Sequence, residues 1–386
     1  MKACIINQHT ENWGDEAAFL GFTAALNDLN LDLTNVIINS TQAPRQGYIS
    51  SLTAKVNPLR FNSRLEKVFA FLILKYQFLF PLHSLFKRYR KLLAIIDSND
   101  LICVGPGGEN IGAYKDYFYL FTILAALKRK KKVVFAGSSF NTSGNPKFDQ
   151  IALTLLSQSR VLAREEISFN YLSSIGVAAS LCSDNALYLK RYYASSISST
   201  TAQSPHISGI AAYTVFVPNC LWTWHPKYKD AQSHKYLTWL IDNIFQSLTL
   251  YGPIVVLPQT YPYPNNKEAF HVYVEKYNAL VLPDVPSLDQ INIISKSQAI
   301  VGMRYHTIVF AALASTRCFS IAYERKVLGF NRKFFHGCGL LDISDRSAYD
   351  LDFSLPSINQ FPRPNTKLID EEIKNLYSLH KRLAFK

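Results

Sequence analysis

The chain lacks an apolar run long enough to cross a membrane, and it lacks a cysteine pattern typical of a metal site. Its most apolar stretch, residues 68–74, ends at Lys75, and Pro81 follows shortly after. A spanning helix needs about 20 apolar residues. The six cysteines are scattered without a C-x-x-C pair, which favours reduced core thiols over disulfides. Residues 1–16 lack the apolar core and cleavage site of a secretory signal. Together these absences favour a cytoplasmic protein.

Acidic residues are the scarcer charge, with 28 Asp and Glu against 41 Lys and Arg, a net charge of +13. The cluster 128–132 suits a helix C-terminus. A second cluster, 87–91, follows an apolar, aromatic stretch from 69 to 86, a combination typical of a membrane interface. We therefore expect peripheral contact with the inner face of the membrane. We expect no nucleic-acid partner, because no helix-turn-helix, zinc-finger or RNP signature is present.

Short apolar segments alternate with helix patterns along most of the 386 residues, which predicts α/β domains with parallel, doubly wound sheets. The Ser- and Thr-rich segment 192–208 interrupts this alternation and is the best linker candidate. The pattern predicts two Rossmann-like domains, 1–191 and 209–364, facing each other across a cleft in a GT-B-like fold. The final helix, 365–386, is expected to cross back towards the first domain. Neither half carries a G-x-G-x-x-G or Walker motif, which argues against dinucleotide chemistry.

Two polar turns follow predicted strands in the first half. Asn12, Gly14 and Asp15 come after the strand 3–7, and the glycine-rich loop 105–110 follows the strand 100–104. A glycine-rich loop lets backbone N–H groups approach a phosphate. The same residues also suit a helix cap and a tight connection, so both interpretations stay open.

Two further side chains are candidates. Arg164 ends the strand 160–163 and is the candidate cation of the first half. A salt bridge with Glu165 or Glu166 would make it structural, but neighbouring residues face different directions on a helix. His225 lies in an aromatic segment, where it either lines an acceptor groove or packs.

Residues 299–330 read as strand, polar turn, helix, strand and polar turn. Arg304, Tyr305 and His306 follow the first strand, and Lys326 follows the second, 318–322. Ligands of open α/β sheets bind where strand ends lead into helices, and a helix N-terminus and an arginine both favour an anion. The pattern predicts one anionic ligand near Arg304, His306 and Lys326, although an R-x-H turn is common by chance.

Taken in order, these motifs resemble the polysaccharide pyruvyl transferase family over roughly residues 3–341. The resemblance implies a GT-B-like fold and transfer of pyruvate from phosphoenolpyruvate to a sugar, forming a ketal on a cell-surface polysaccharide or its lipid-linked precursor. Two residues depart from the family pattern: Pro106 interrupts the glycine run, and Glu324 stands where an Asp is usual. The segments that carry the resemblance are 12–15, 105–108, 164–168, 184–186, 300–306 and 323–326.

The reaction requires cations for two anionic groups, a proton donor and a base. We expect Arg304 and Arg164 to clamp the carboxylate and phosphate, Lys326 to neutralise the departing phosphate, and His306 to act as acid and base or as a phosphate ligand. No metal or other cofactor is expected. The expected substrate-binding residues, all in one cleft with these groups, are Asn12, Gly14, Asp15, Gly107, Gly108 and Tyr305.

Two other functions remain open at this point. The first is a GT-B glycosyltransferase that uses a sugar nucleotide, because the fold class is the same. The second is a catalytically silent assembly protein, against which the complete set of cations argues.

Overall fold

The computed structural model describes most of the chain in two compact units. The first unit consists of Met1–Thr10, Asp15–Leu189 and Glu372–Lys386, and the second of Glu11–Gly14 and Lys190–Glu371. Most of the predicted linker 192–208 lies outside the described residues, as does most of the segment 40–60, whose Pro, Gly and Ser residues predict a loop. The structure describes residues 1–39, 55–60, 63–112, 115–191, 207, 209–265, 268, 270–345, 349 and 351–385.

The first unit contains a parallel sheet in the order β3-β2-β1-β4-β6-β7-β8, with β5 pairing with β6 beside this path. Its central strands are almost completely buried, which explains their continuous apolar sequences. The strands are β1 (Lys2–Gln8), β2 (Asp32–Ile38), β3 (Val56–Pro58), β4 (Leu101–Val104), β5 (Glu109–Ile111), β6 (Lys132–Phe140), β7 (Arg160–Ala163) and β8 (Ala179–Leu181).

Helices cover this sheet and begin at local capping signals. Ser63 and Glu66 form a capping box at the start of the helix Arg64–Lys75, and Asn145 followed by Pro146 starts the helix Pro146–Leu156. The helices are α1 (Trp13–Asp28), α2 (Arg64–Lys75), α3 (Lys87–Asp97), α4 (Tyr117–Lys128), α5 (Pro146–Leu156) and α6 (Glu166–Ser174), with 3-10 helices at Gln77–Leu85 and Asn185–Leu189.

The second unit contains a parallel sheet in the order β11-β10-β9-β12-β13-β14. Its strands are β9 (Thr214–Val217), β10 (Ile254–Val256), β11 (Leu280–Val281), β12 (Ile300–Gly302), β13 (Cys318–Ala322) and β14 (Leu340–Asp342). Its helices are α7 (Leu221–Trp224), α8 (Ala231–Leu248), α9 (His271–Lys276), α10 (Ser287–Lys296), α11 (Tyr305–Leu313) and α12 (Arg325–Phe335), with 3-10 helices at Pro226–Tyr228, Thr249–Tyr251 and Ile358–Gln360.

The last helix, α13 (Thr366–Phe385), begins in the second unit and ends in the first. Its second half packs Ala384, Tyr377 and Leu383 against the apolar cluster between α1 and the β1–β2 strands. The side chains of Arg160 and Lys132 donate hydrogen bonds to carbonyl oxygens near the helix end, Leu383 O and Ala384 O, each at 3.1 Å.

Each sheet has the strand order of a Rossmann fold, and this order fixes where a ligand is expected. In the first sheet, β2 and β3 are added on one side of β1, and the chain then returns to place β4 and the later strands on the other side. In the second sheet, β10 and β11 lie on one side of β9, and β12, β13 and β14 lie on the other. Ligands of such sheets bind at the carboxyl ends of the strands on either side of this reversal. In the second unit the reversal places Arg304 at the carboxyl end of β12, separated from the strand only by Met303.

Several local predictions were wrong. The sequence predicts a strand over 207–217, but the strand begins only at Thr214. It also predicts Ser287 as the N-cap of the helix that starts there, whereas the N-cap of α10 is Pro286. The short strands β3 and β5 were assigned to loops. Five cysteines are buried as expected, but Cys338 is exposed. Among the described helices, none combines the length and the apolarity that a membrane crossing requires.

Candidate active site

Arg304 lies at the reversal point of the second sheet and is held on two sides. It is the N-cap residue of α11 and is only 7% exposed. Its Nη2 lies 3.0 Å from Glu268 Oε1, and its guanidinium carbon lies 5.7 Å from the centre of the Trp224 ring. Trp224 is itself oriented by a hydrogen bond from Nε1 to Asn219 Oδ1, at 3.1 Å. A carboxylate and an indole ring therefore fix the direction of this guanidinium.

Glu268 is a site residue that the sequence analysis missed. Its carboxylate is fully buried, and Oε1 accepts hydrogen bonds from Gln259 N (3.2 Å), Thr260 N (3.0 Å) and Thr260 Oγ1 (2.9 Å). Burial raises the pKa of this carboxyl, and Arg304 and the Thr260 donors oppose that shift. With four donors directed at one oxygen, we describe the pair with Arg304 as ionic.

No sequence signal identified Glu268, because its role comes from tertiary contacts. The sequence predicts a helix over 267–277 that includes Glu268, but the structure begins α9 only at His271. A lone glutamate in a segment rich in Tyr, Pro and Asn matches no catalytic spacing. Only the fold shows that this segment lies beside the start of α11.

His306 is the second residue of α11 and is packed against the turn that follows β1. A Cβ atom added to Gly14 would lie 1.9 Å from His306 Nδ1, so only glycine allows the imidazole to occupy this position. The turn is held by a backbone bridge between Asn12 and Thr260 and by the hydrogen bond from Trp13 N to Gln259 O, at 3.0 Å. Two motifs almost three hundred residues apart in the sequence therefore meet in the second unit.

Asn12 and Tyr305 complete the surroundings of His306. Asn12 Oδ1 accepts a hydrogen bond from Gly14 N at 2.8 Å, which stabilises the turn. Tyr305 is buried and packs edge-on against His306, with ring centres 5.0 Å apart, and against Phe330 at 5.7 Å. These contacts give Tyr305 a packing role next to the histidine.

Lys326 is the second residue of α12, the helix that follows β13. Its Nζ is 2.5 Å from Glu324 Oε2, and the other oxygen of Glu324 is 3.5 Å from His225 Nε2. Burial raises the pKa of Glu324, but Lys326 and His225 outweigh it and lower the value to about 2. Glu324 therefore stays ionised and holds a lysine and a histidine on its two oxygens. The sequence left two roles open for His225, lining an acceptor groove or packing. In the structure His225 is a partner of the Glu324 carboxylate.

Arg164 has a buried partner in the first unit. Its Nη1 lies 3.0 Å from Asp184 Oδ2, with both side chains almost completely buried, and its Nε donates to Ser139 Oγ at 2.8 Å. The alternative partner Glu165 instead accepts a hydrogen bond from Ser168. This arrangement gives Arg164 a structural role and leaves its role as a ligand clamp a prediction.

The glycine-rich loop also belongs to the first unit. Gly107 and Gly108 have φ values of 78° and 58°, in the left-handed region that favours glycine. A Cβ atom at Gly107 would lie 3.0 Å from Asp15 Oδ1, and one at Gly108 would lie 2.7 Å from His9 Cδ2. The loop is thus packed on the end of β1 and the start of α1, and Asp15 is its direct neighbour.

The turns and strand ends described above fall within a segment that matches a known protein family. The model of the polysaccharide pyruvyl transferase family matches residues 12–325. The chain belongs to the polysaccharide pyruvyl transferase family. The matched segment begins at the Asn12 turn and ends at Arg325, directly before Lys326. No curated protein sequence matches the chain.

Solved structures extend the comparison to the fold of this pyruvyl transferase family member. UDP-GlcNAc 2-epimerase from Methanocaldococcus jannaschii, solved with UDP-GlcNAc and UDP, is 13% identical with a TM-score of 0.52, covering 98% of this chain and 100% of the other. UDP-GlcNAc 2-epimerase from Neisseria meningitidis is 14% identical with a TM-score of 0.52, covering 99% and 93%. The predicted fold class, two Rossmann-like α/β domains of the GT-B-like type, is confirmed.

Proposed function

We propose that this protein transfers pyruvate from phosphoenolpyruvate to a sugar of a cell-surface polysaccharide or its lipid-linked precursor. The observation that supports this most strongly is the position of the cations. Arg304 and Lys326 follow two neighbouring parallel strands, β12 and β13, at their carboxyl ends. This is the edge at which α/β sheets bind ligands, and phosphoenolpyruvate carries two anionic groups.

The carboxylate partners suit a role in positioning these cations. A guanidinium carries five N–H donors in a fixed fork, so Arg304 can bind Glu268 and one anionic group of the substrate together. Lys326 carries three donors and can hold Glu324 and a phosphate oxygen in the same way. The N-terminus of α11 adds a favourable dipole for an anion. We assign the substrate carboxylate to Arg304 and the phosphate to Lys326.

The chemical steps follow from the structure of phosphoenolpyruvate. A proton is added to the methylene carbon, which becomes a methyl group and leaves an oxocarbenium-like centre at C2. One sugar hydroxyl attacks C2, the bond between C2 and the phosphate oxygen breaks, and a second hydroxyl closes the ketal ring. The two hydroxyl groups release two protons. One returns to the proton donor and replaces the proton delivered to the methylene carbon, and the other leaves with phosphate.

His306 is the side chain we assign to proton transfer. Histidine changes charge near neutral pH, and general acid–base catalysis contributes about 10²–10⁴-fold in rate. Gly14 and Tyr305 hold the ring on two sides, which suits a group that must keep one orientation. The scheme requires no metal or other cofactor. We assign the acceptor to the first unit, where Asp15 lies beside Gly107 and Arg164 is fixed by Asp184.

Product analysis tests this proposal. The protein is incubated with phosphoenolpyruvate and a lipid-linked glycan fraction, and mass spectrometry is used to search for a glycan carrying a pyruvate ketal. We expect ketal formation with equal release of phosphate. A complete absence of both products with every glycan fraction tested would support a catalytically silent protein.

The second candidate function is a glycosyltransferase that uses a sugar nucleotide. It is favoured by one observation, that the solved structure from M. jannaschii holds UDP-GlcNAc and UDP on the same fold. Thermal unfolding separates the two candidates. We expect phosphoenolpyruvate to raise the melting temperature, whereas stabilisation by UDP-sugars alone would favour the glycosyltransferase.

A further inference from the structure

The surface of the first unit carries an unusual patch, which we call the interfacial segment, residues 63–91. Of the fourteen large apolar side chains that are exposed in the described part of the chain, seven lie in this segment, with Phe78 at 78% and Leu85 at 70%. Isolated exposed apolar residues are normal in soluble proteins, but a contiguous group marks a binding surface. The seven are Leu65, Val68, Leu72, Tyr76, Phe78, Leu82 and Leu85.

Helix α2 shows that this exposure follows a pattern. Leu65, Val68 and Leu72 have the i, i+3, i+7 spacing that forms one stripe of a helix. The opposite side of α2 buries Ile73 and Leu74 in the core of the unit. The helix is therefore apolar on two faces, one buried in the core of the unit and the other exposed at its surface.

Positive charge surrounds these apolar side chains. The interfacial segment contains seven Lys and Arg residues and a single acidic residue, Glu66, which is buried and pairs with Arg88 at 3.2 Å. The only carboxylate of the segment is thus already neutralised. The remaining six cations are all exposed: Arg64, Lys67, Lys75, Lys87, Arg90 and Lys91.

We propose that the interfacial segment docks on the surface of a bilayer that contains anionic lipids. Apolar tips such as Phe78 and Leu85 would enter the boundary between headgroups and acyl chains, and the exposed cations would contact lipid phosphates. A bilayer satisfies both features together, because its apolar interior lies directly beneath a layer of negative charge. This inference does not depend on the reaction that the protein catalyses.

The segment also contacts α4, the first helix after the glycine-rich loop and β5. Phe71 of α2 packs edge-on against Tyr117, the first residue of α4, with ring centres 5.4 Å apart. Asp116 caps the same end of α4 by accepting a hydrogen bond from Phe118 N. Docking through α2 would therefore bring the loop end of the first sheet towards the bilayer.

Other occupants fit the patch less well. A second copy related by a two-fold axis would place the same cations opposite one another, and like charges disfavour such an interface. Nucleic acid would be matched by the cations, and Tyr76 and Phe78 could stack on bases, but the other five exposed apolar side chains of the segment are aliphatic and offer bases no stacking surface. Both alternatives are outcomes of the experiment described next.

Vesicle flotation tests the docking with matched variants. The apolar variant carries Leu65→Gln, Phe78→Gln and Leu85→Gln, and its control carries Leu250→Gln, Val272→Gln and Leu351→Gln at exposed apolar positions of the second unit. The basic variant carries Lys87→Gln, Arg90→Gln and Lys91→Gln, and its control removes three exposed cations of α13, at Lys374, Lys381 and Arg382. Vesicles contain phosphatidylcholine with or without phosphatidylglycerol.

We expect the unmodified protein and both controls to float with the anionic vesicles and to bind neutral vesicles at least about tenfold more weakly. Each segment variant should lose about tenfold or more of its binding to anionic vesicles. Equal binding by segment variants and controls would overturn the proposal. So would an apolar variant that changes only the oligomeric state in sedimentation, or a basic variant that loses only nucleic-acid binding.

A tryptophan at the patch distinguishes insertion from adsorption by charge alone. In Phe78→Trp, brominated lipids should quench the added fluorescence when anionic vesicles are present. The control Leu250→Trp should show no such change, because residue 250 is an exposed apolar position outside the interfacial segment. Absence of quenching at residue 78 would overturn the insertion of apolar side chains.

Discussion

At the scale of single residues, the candidate site is defined by which carboxylate each cation contacts. Arg304 contacts Glu268 at 3.0 Å in a buried pair, whereas Lys326 contacts Glu324, whose side chain is 29% exposed. The cations were predicted from their motif, because strand ends that lead into helices are recognisable in a sequence. The carboxylate Glu268 was not, since its partner is 36 residues away and nothing local marks it.

Glu268→Gln tests the buried ion pair. The change removes the charge opposite Arg304 and leaves the guanidinium without its buried counter-charge, so we expect a loss of about 3 kcal/mol in the free energy of unfolding. We also expect a higher KM for phosphoenolpyruvate with a smaller effect on kcat, because Glu268 positions the arginine. Denaturant unfolding and steady-state kinetics measure the two effects.

The matched control for this change is Glu275→Gln, which removes an exposed carboxylate from the nearby helix α9. Exposed charges contribute little to stability, so this variant should unfold like the unmodified protein. If Glu268→Gln is as stable and as active as this control, the carboxylate has no positioning role.

Gly14→Ala tests the contact between the first turn and the histidine. The added methyl group would lie 1.9 Å from His306 Nδ1, so the ring must leave its position. We expect phosphate release to fall by about 10²-fold or more, since a displaced general acid loses its catalytic effect. The control is Gly329→Ala in α12, where an added Cβ meets nothing within 4 Å.

The two glycine variants are compared in the same phosphate-release assay, with circular dichroism confirming that both fold. Gly329→Ala should retain activity and gain some stability, since alanine is favoured over glycine within helices. Similar activity of both variants would mean that His306 tolerates movement and does not act as assigned.

At the scale of elements, strands β12 and β13 with their following helices were predicted well, because each is a continuous apolar run ending in a polar turn. The short strands β3 and β5 were missed because three residues carry too little pattern. The strand predicted at 207–217 was too long at its N-terminal end. Residues 209–213 are apolar enough for a strand, yet the structure pairs only the residues from Thr214 onwards with β10 and β12.

Helix α13 makes the stability of the first unit dependent on pH. His380 is buried against Phe22, and its ring nitrogen lies 2.8 Å from Asn185 Oδ1. Burial lowers the pKa of His380 from 6.5 to about 4. The folded state therefore binds this proton less readily than the unfolded state, and stability is lost as the pH falls from about 6.5 towards 4.

His380→Gln removes this titration. We expect the pH dependence of the unfolding free energy between pH 6.5 and 4 to become shallower by a total on the order of 3 kcal/mol. The exposed histidine variant His271→Gln serves as the control and should follow the unmodified protein. Parallel curves for His380→Gln and the unmodified protein would show that the buried histidine does not contribute.

At the scale of the whole molecule, both units have the same strand order, and the family match covers parts of both. The alternation of strands and helices was sufficient to predict two Rossmann-like domains, since period and length are properties of the sequence. The grouping of Glu11–Gly14 with the second unit was not predicted. It depends on hydrogen bonds from this turn to the segment after β10, which only the folded chain reveals.

The central claim is that Arg304 and His306 act on phosphoenolpyruvate. The measurement that tests it most directly is phosphate release from phosphoenolpyruvate with the lipid-linked glycan fraction, for the unmodified protein, Arg304→Ala and His306→Ala. We expect both variants to fold and to lose at least about 10²-fold in rate, because one loses the anion clamp and the other the proton donor. Near-normal phosphate release by either folded variant would contradict this account of the site.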